Sequence, residues 1–167
     1  MTLSKTQLLT ISGFRPEIAA ALGPALGAIH FKDSPTPETA IAEAGTFVKA
    51  ANGSDLHISG DFSMPADNRL QYDGDVPIRA IALASISYQC ASNNQNLGFV
   101  FAKNGTVNIA SQTRRQIATG ADEGSSTLLD HPTLQPGDYM EVWLTNNTST
   151  GAVTITHCHL VVLGFYP

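Results

Sequence analysis

The chain is poor in charge. Asp, Glu, Lys and Arg make up 14% of its 167 residues, against about 25% in an average soluble domain. A chain with so few charges has little to cover a large free surface, which points to burial of surface in an assembly. It also lacks a basic cluster. The net charge is −5, and no positive group is larger than Arg114-Arg115, read as two solvated side chains, which argues against a nucleic-acid surface. There are two cysteines, Cys90 and Cys158, too few for a disulfide scaffold, and the sequence leaves open whether they pair. No apolar stretch reaches the length of a membrane-spanning helix. The opening MTLSKTQLL has neither the long apolar run nor the small-residue cleavage site of a signal peptide, so no secretory route is expected. The sequons at Asn52, Asn104, Asn146 and Asn147 are accordingly read as turn chemistry.

Catalytic signatures are missing too. There is no nucleophile elbow, phosphate loop or zinc-protease motif. The carboxylate pairs Asp122-Glu123 and Asp73-Gly74-Asp75 lie in turn-like sequence, and the second lacks the ligand series of a calcium loop. A cupin-like metal enzyme needs several histidines and a carboxylate converging in a barrel, whereas the five histidines (30, 57, 131, 157, 159) are scattered. The expectation is a non-enzymatic protein with no cofactor.

What is present divides near residue 44. Residues 1–44 hold the helical signals. Arg15-Pro16-Glu17 places Pro at a first helical position and Glu in the first turn, and IAAALGPALGAIHF follows, interrupted at Gly23-Pro24. This predicts one short helix or two, then a Pro-containing arm over 32–39. Such a small-residue apolar segment should pack on something else.

From residue 45 the pattern is all-β: short apolar runs between Gly, Asn, Asp and Pro. Strands are predicted near 45–50, 55–60, 69–73, 77–90, 97–103, 106–112, 126–129, 138–146 and 152–165. Asn104-Gly105 marks a hairpin with a type I′ turn, and Pro136-Gly137-Asp138 a second turn. About nine strands with no intervening helix predict a sandwich or barrel. In 77–90 one face carries Ile78, Ala80, Ala82, Ala84, Ile86, Tyr88 and Cys90, while Ile81 and Leu83 make the other face apolar at its start. In 138–146, Met140, Val142 and Leu144 share one face and Tyr139, Glu141, Trp143 and Thr145 the other. Faces apolar on both sides, with outward Tyr and Trp, have the composition of a subunit contact.

Thr156-His157-Cys158-His159-Leu160 raises the question of a metal. Strand alternation points Cys158 away from His157 and His159, so the three cannot share one ion in a regular strand. Packing is the reading adopted, and ligation by copies of one histidine on an oligomer axis is the one metal route left.

The order of GTFVKA, RLQYDG before a long apolar strand, FVFAKNGT, LQPGDYMEVWLTNNTS and a terminal run ending LVVLGFYP resembles the jelly-roll domains of the tumour-necrosis-factor and complement-globular-head superfamily, especially those of bacteriophage virion proteins. The resemblance covers about 45–167. It implies a jelly-roll β-sandwich of about eight to ten strands that forms a homotrimer, with an N-terminal arm attaching it to a particle. On that basis Tyr139, Trp143, His157 and His159 are candidates for the trimer contact. Phe14, Ile18, Leu22, Leu26, Ile29 and Phe31 are candidates for attachment to the major capsid protein. The function implied is a capsid decoration or cement protein of the phage head; the absence of shaft-like repeats argues against a long fibre. The alternative is a fibre tip that binds a receptor or glycan, through the amide-rich loops Asn93-Asn94-Gln95-Asn96 and Asn146-Asn147-Thr148.

Overall fold

The computed structural model describes residues 23–120 and 122–166. Among them thirteen strands form two antiparallel sheets: β1 Ala25–Phe31, β2 Glu38–Thr39, β3 Val48–Lys49, β4 Ser54–Gly60, β5 Phe62–Ala66, β6 Arg69–Tyr72, β7 Ile78–Cys90, β8 Gln95–Lys103, β9 Thr106–Ile117, β10 Gly124–Asp130, β11 Thr133–Leu134, β12 Tyr139–Asn146 and β13 Val153–Phe165. One sheet runs β10-β7-β13-β1-β4, with β11 beside β7 and β2 beside β13. The other runs β5-β6-β12-β8-β9, with β3 beside β12. The two sheets face each other across one core, as in a jelly-roll sandwich.

The alternation predicted for β7 holds along its whole length. Ile78, Ala80, Ala82, Ala84, Ile86, Tyr88 and Cys90 all face the core and are buried. Leu97, Phe99 and Phe101 of β8 and Met140, Val142 and Leu144 of β12 meet them from the other sheet. Asn104 and Gly105 both take positive φ, 53° and 75°, which the tight β8–β9 hairpin demands.

The structure corrects the reading of the N-terminal region. Ala25–Phe31 is a strand, not a helix, and it lies inside a sheet between β13 and β4. Its inward positions are Ala25, Gly27, Ile29 and Phe31, a period of two that the surrounding alanines disguise. The small residues are required by close packing: a Cβ on Gly27 would stand 2.4 Å from the Phe62 ring. The 32–39 arm is also tied down, since β2 pairs with β13 and the Ala51 N–H donates to Thr39 Oγ1 at 2.9 Å. Ile41 then enters the core. A division at residue 44 therefore cuts through the sandwich. The predicted helix start at Arg15-Pro16-Glu17 lies outside the described residues.

Strands β1, β2, β5 and β11 were not foreseen. β5 contains Pro65 and a register shift, and β2 and β11 are two residues each, too short for any periodicity to show.

Candidate functional site

The candidate site is the outer face of the sheet built on β10-β7-β13-β1-β4. Register lays its side chains out in rows across the strands. One row is Leu129, Leu83, Val161, Ala28 and Ile58, one residue from each strand of the main path. The next is Ile81, Leu163 and Leu26, ending at Gly60. Beyond it Phe165 lies opposite Arg79. Leu83 remains 44% exposed, Leu129 49% and Phe165 47% in the single chain. Leucines this open side by side on neighbouring strands form a contiguous apolar patch rather than scattered surface residues.

Two residues further along each strand the chemistry changes. Thr127, Ser85, His159, His30 and Asp55 form a row, and Ser125, Ser87 and His157 another. The β4 register shifts opposite the Ala28–Ile29 step, and His57 is the extra residue of that bulge. Its ring stands edge-on to both His30 and His159, with centroids 5.9 Å and 5.8 Å away. His157 Nδ1 is 4.0 Å from Asp33, and His30 Nε2 is 4.0 Å from Asp55, which also pairs with Lys32 at 3.3 Å. The pKa of His159 is held below the usual imidazole value, first by desolvation and then by His57, His30 and His157.

A second register shift, between Ile155 and His157, sets the orientation of the THCHL stretch. Val153 and Ile155 face the core, the bulge takes up one residue, and Cys158, Leu160 and Val162 then face the core in turn. His157 and His159 are left on the outer face. Cys158 is fully buried and burial pushes its thiol up to about 12. Cys90 is buried as well and both thiols are free. Among the described residues no three His, Cys, Asp or Glu side chains are disposed to hold a metal ion.

The other two contact candidates lie on the opposite side of the sandwich. Tyr139 and Trp143 are half-buried on β12, in the β5-β6-β12-β8-β9 sheet, and are already engaged. Glu141, between them, is 1% exposed. It accepts from Lys49 Nζ at 2.9 Å, from Arg69 Nη2 at 2.9 Å and from Trp143 Nε1 at 3.0 Å. The Arg69 guanidinium also covers the Tyr139 ring at 3.9 Å. Burial alone would raise the Glu141 pKa, but the hydrogen bonds from Lys49, Trp143 and Arg69 outweigh it and hold it below the usual carboxylate range. Outward Tyr and Trp, which suggested a contact, thus flank an ion-pair network within the chain.

Of the attachment candidates, Ile29 and Phe31 are core residues, 0% and 1% exposed, and are not available to a partner. Expected in a helical arm with Leu26, they lie instead in a strand, where they point inward and Leu26 outward onto the apolar rows. Phe14, Ile18 and Leu22 lie outside the described residues. The residues that sequence reasoning missed are Leu129, Val161, Leu163 and Ile58. The outward Ile81 and Leu83 were the visible signal, but joining them to the others needs the strand order.

The amide-rich loops bind each other. The Asn147 N–H donates to the Asn96 carbonyl at 2.8 Å, the Asn96 N–H to Thr148 Oγ1 at 2.9 Å, and Asn146 Nδ2 to Gln95 Oε1 at 2.9 Å. Their amides lock the β7–β8 and β12–β13 connections together. A separate open cleft of about 430 Å³ lies between the β8–β9 hairpin and the β10–β11 connection, lined by Lys103, Asn108, Asp130 and His131 among others.

No family model matches the sequence, and no curated protein matches it. Solved structures do match the fold. Murine APRIL at pH 5.0 superposes with a TM-score of 0.55 and 9% identity, over 84% of this chain and 99% of that one. The PRD1 vertex protein P5 superposes with a TM-score of 0.52 and 10% identity, over 87% of this chain and 74% of that one. At such identity the likeness concerns the fold, and the fold is the tumour-necrosis-factor-like jelly roll, one that a virion vertex protein shares.

Proposed function

We propose that the protein is a non-catalytic structural component of a virion, a homotrimer displayed on the phage capsid as a decoration or cement protein. The observation that carries the reading is the apolar row Leu129-Leu83-Val161-Ala28-Ile58, which crosses every strand of the main sheet path without a charge. The occupant we assign to that face is a second copy of the chain. The low charge of the whole molecule, the sharing of the fold with a vertex protein and the concentration of open leucines on one face all favour it. Full burial of a leucine contributes about 1.5–3 kcal/mol, so covering two that are nearly half open adds roughly 1 kcal/mol each, repeated at every contact of a ring.

Attachment to the major capsid protein is assigned to the segment before β1, which holds Phe14, Ile18 and Leu22. A trimer carries three such segments, and linked weak contacts raise the effective affinity without new chemistry. Only the assembled shell offers all the sites, so binding stabilises the shell by mass action.

The first test is absolute mass by light scattering over a wide dilution range, for the natural chain and for Leu83→Glu. A trimer that becomes a folded monomer on substitution supports the reading; a monomer at every concentration of the natural chain rejects it. Attachment is tested by deleting residues 1–22. Deleting 1–44 would remove β1 from its sheet and unfold the domain. A folded, truncated trimer that still decorates capsids fully would reject attachment through this segment.

The alternative role, a fibre tip that binds a glycan or receptor, draws support from the open cleft beside Asp130 and His131 rather than from the mutually bonded amide loops. A glycan array with no binder counts against it.

A further inference from the structure

Four of the five histidines, scattered over the sequence from 30 to 159, are gathered by the fold at one end of the outer sheet face. His30 comes from β1, His57 from the β4 bulge, and His157 and His159 from β13. Every element packed around them contributes to their electrostatics. Strand β7 presents only Ser85 and Ser87, and β10 only Ser125 and Thr127. Glu123, just before β10, is hydrogen-bonded by the Thr156 hydroxyl. Strand β4 adds Asp55, and the chain after β1 adds Lys32 and Asp33. Strand β2, which pairs with β13, adds Glu38 opposite Thr154. Among the described residues the carboxylates within 4.0 Å of an imidazole are two, Asp33 and Asp55, and the second is shared with a lysine.

We propose that this histidine cluster makes the subunit contact acid-sensitive, closing it while the imidazoles are neutral and opening it when they are protonated. The inference rests on the trimer reading above. A neighbouring protomer that covers Leu83 and Val161 also covers Ser85 and His159, two residues and about 7 Å further along the same strands. Neutral imidazoles tolerate that burial among serines and threonines. Imidazolium ions do not, because burial disfavours the charged form and His57 stands within 6 Å of two others. His159 already shows both effects in the single chain.

The sign follows from linkage. The separated protomer binds more protons than the closed trimer, so association is at full strength above the ordinary imidazole pKa of about 6.5 and weakens as pH falls below it. One histidine held neutral per protomer weakens its association by about tenfold for each pH unit below that value. Several acting together make the dependence steeper.

The test is sedimentation velocity of the full chain at a fixed concentration and ionic strength, from about pH 8 to about pH 5, the range in which imidazole titrates. Far-ultraviolet circular dichroism follows the fold in parallel. The natural chain is compared with the quadruple variant His30→Gln, His57→Gln, His157→Gln, His159→Gln, whose glutamines cannot take up a proton. The expected result is a trimer at the upper end that dissociates into folded protomers on acidification, while the variant stays trimeric throughout. A natural chain equally trimeric at both ends overturns the acid switch and leaves the trimer standing. Dissociation of the variant in parallel with the natural chain overturns the assignment to these histidines. A natural chain already monomeric at about pH 8 overturns both readings. Should the quadruple variant fail to fold, His159→Gln alone serves: it is expected to flatten the pH dependence by about tenfold per unit, and an unchanged profile counts against the proposal.

Discussion

Asn68 is the residue whose loss should cost the sandwich most for its size. It is fully buried, has a positive φ of 50°, and sits where β12 changes partner from β3 to β6. Between those two strands β12 has no strand to pair with, and the Asn68 side chain takes that place. Its Nδ2 donates to the Val142 carbonyl at 2.8 Å and to the Ala50 carbonyl at 3.0 Å, and its Oδ1 accepts from the Val142 N–H at 3.0 Å. Replacing it with alanine removes all three bonds. The Val142 carbonyl keeps one donor, the Ala50 N–H at 3.1 Å, but the Val142 N–H and the Ala50 carbonyl lose theirs. Each orphaned buried group costs about 1–3 kcal/mol. Alanine in the left-handed region adds about 1 kcal/mol, a cost asparagine largely escapes. The expected loss is about 3–7 kcal/mol, a large share of the roughly 5–15 kcal/mol that holds a domain together.

The assay is urea unfolding at one fixed protein concentration, because association would otherwise shift the midpoint. Asn68→Gly separates the two contributions. It loses the same bonds but tolerates the backbone, so it should be more stable than Asn68→Ala by about 1 kcal/mol. Asn68→Asp keeps the acceptor but turns a carboxylate oxygen toward two carbonyls, and should be at least as damaging as alanine. A loss below about 1 kcal/mol for Asn68→Ala, with an unchanged slope, would refute the idea that this side chain substitutes for a strand.

Three further outcomes are expected. Glu141→Gln should lower stability at neutral pH by about 1–2 kcal/mol, less than for a fully buried pair because Lys49 and Arg69 are about a third exposed and regain water. The folded Glu141 pKa is depressed, so its contribution is present above the ordinary carboxylate value of about 4.3 and fades as pH falls through the folded value; urea midpoints of the two proteins should converge in acid. Cys90 and Cys158 should resist a thiol reagent in the native protein and react on unfolding, since both are buried and burial holds the Cys158 thiol near 12; prompt native labelling would contradict the buried placement. Leu83→Glu should leave the protomer fold intact, because the side chain points outward, while burying a carboxylate without a partner at each contact; an undisturbed oligomer would place the contact elsewhere.

How far the sequence alone reveals this molecule depends on whether a strand is long enough to show its period. Ile78–Cys90 shows it over thirteen residues, and Tyr139–Asn146 shows it with the turn that precedes it. Ala25–Phe31 conceals it, because Gly27, small for reasons of close approach, interrupts the apolar alternation, and the alanines beside it suit a helix. Bulges hide more. The shift at Ile155–His157 means that no single parity describes β13, although the opposite orientation of Cys158 and the flanking histidines survives because it is local. The histidine cluster was beyond reach for another reason. Its members approach one another only through the β13–β1–β4 order and a one-residue bulge, neither of which leaves a mark in composition.

The distribution of charge gives the two sheet faces different roles. The ion pairs Lys49–Glu141, Arg69–Glu141 and Lys103–Asp138 all draw on β12 or the turn before it, on the β5-β6-β12-β8-β9 side, where Arg114 and Arg115 are also exposed on β9. The β10-β7-β13-β1-β4 side has its open leucines and its histidines, and carries its fixed charges toward strand ends and edges, among them Arg79, Asp55, Asp130, Glu38, Lys32 and Asp33. An isolated sandwich gains nothing from this inequality, since both outer faces would meet the same water. In a ring that closes on the histidine-bearing face, the inequality follows directly. In such a ring the charged sheet would stay wet and keep the assembly soluble, with the ion pairs of β12 where water remains. The proposed acid response uses the same asymmetry: protonation turns the one face poor in fixed charge into a cationic one, and a contact that closes because it is nearly neutral then has reason to open.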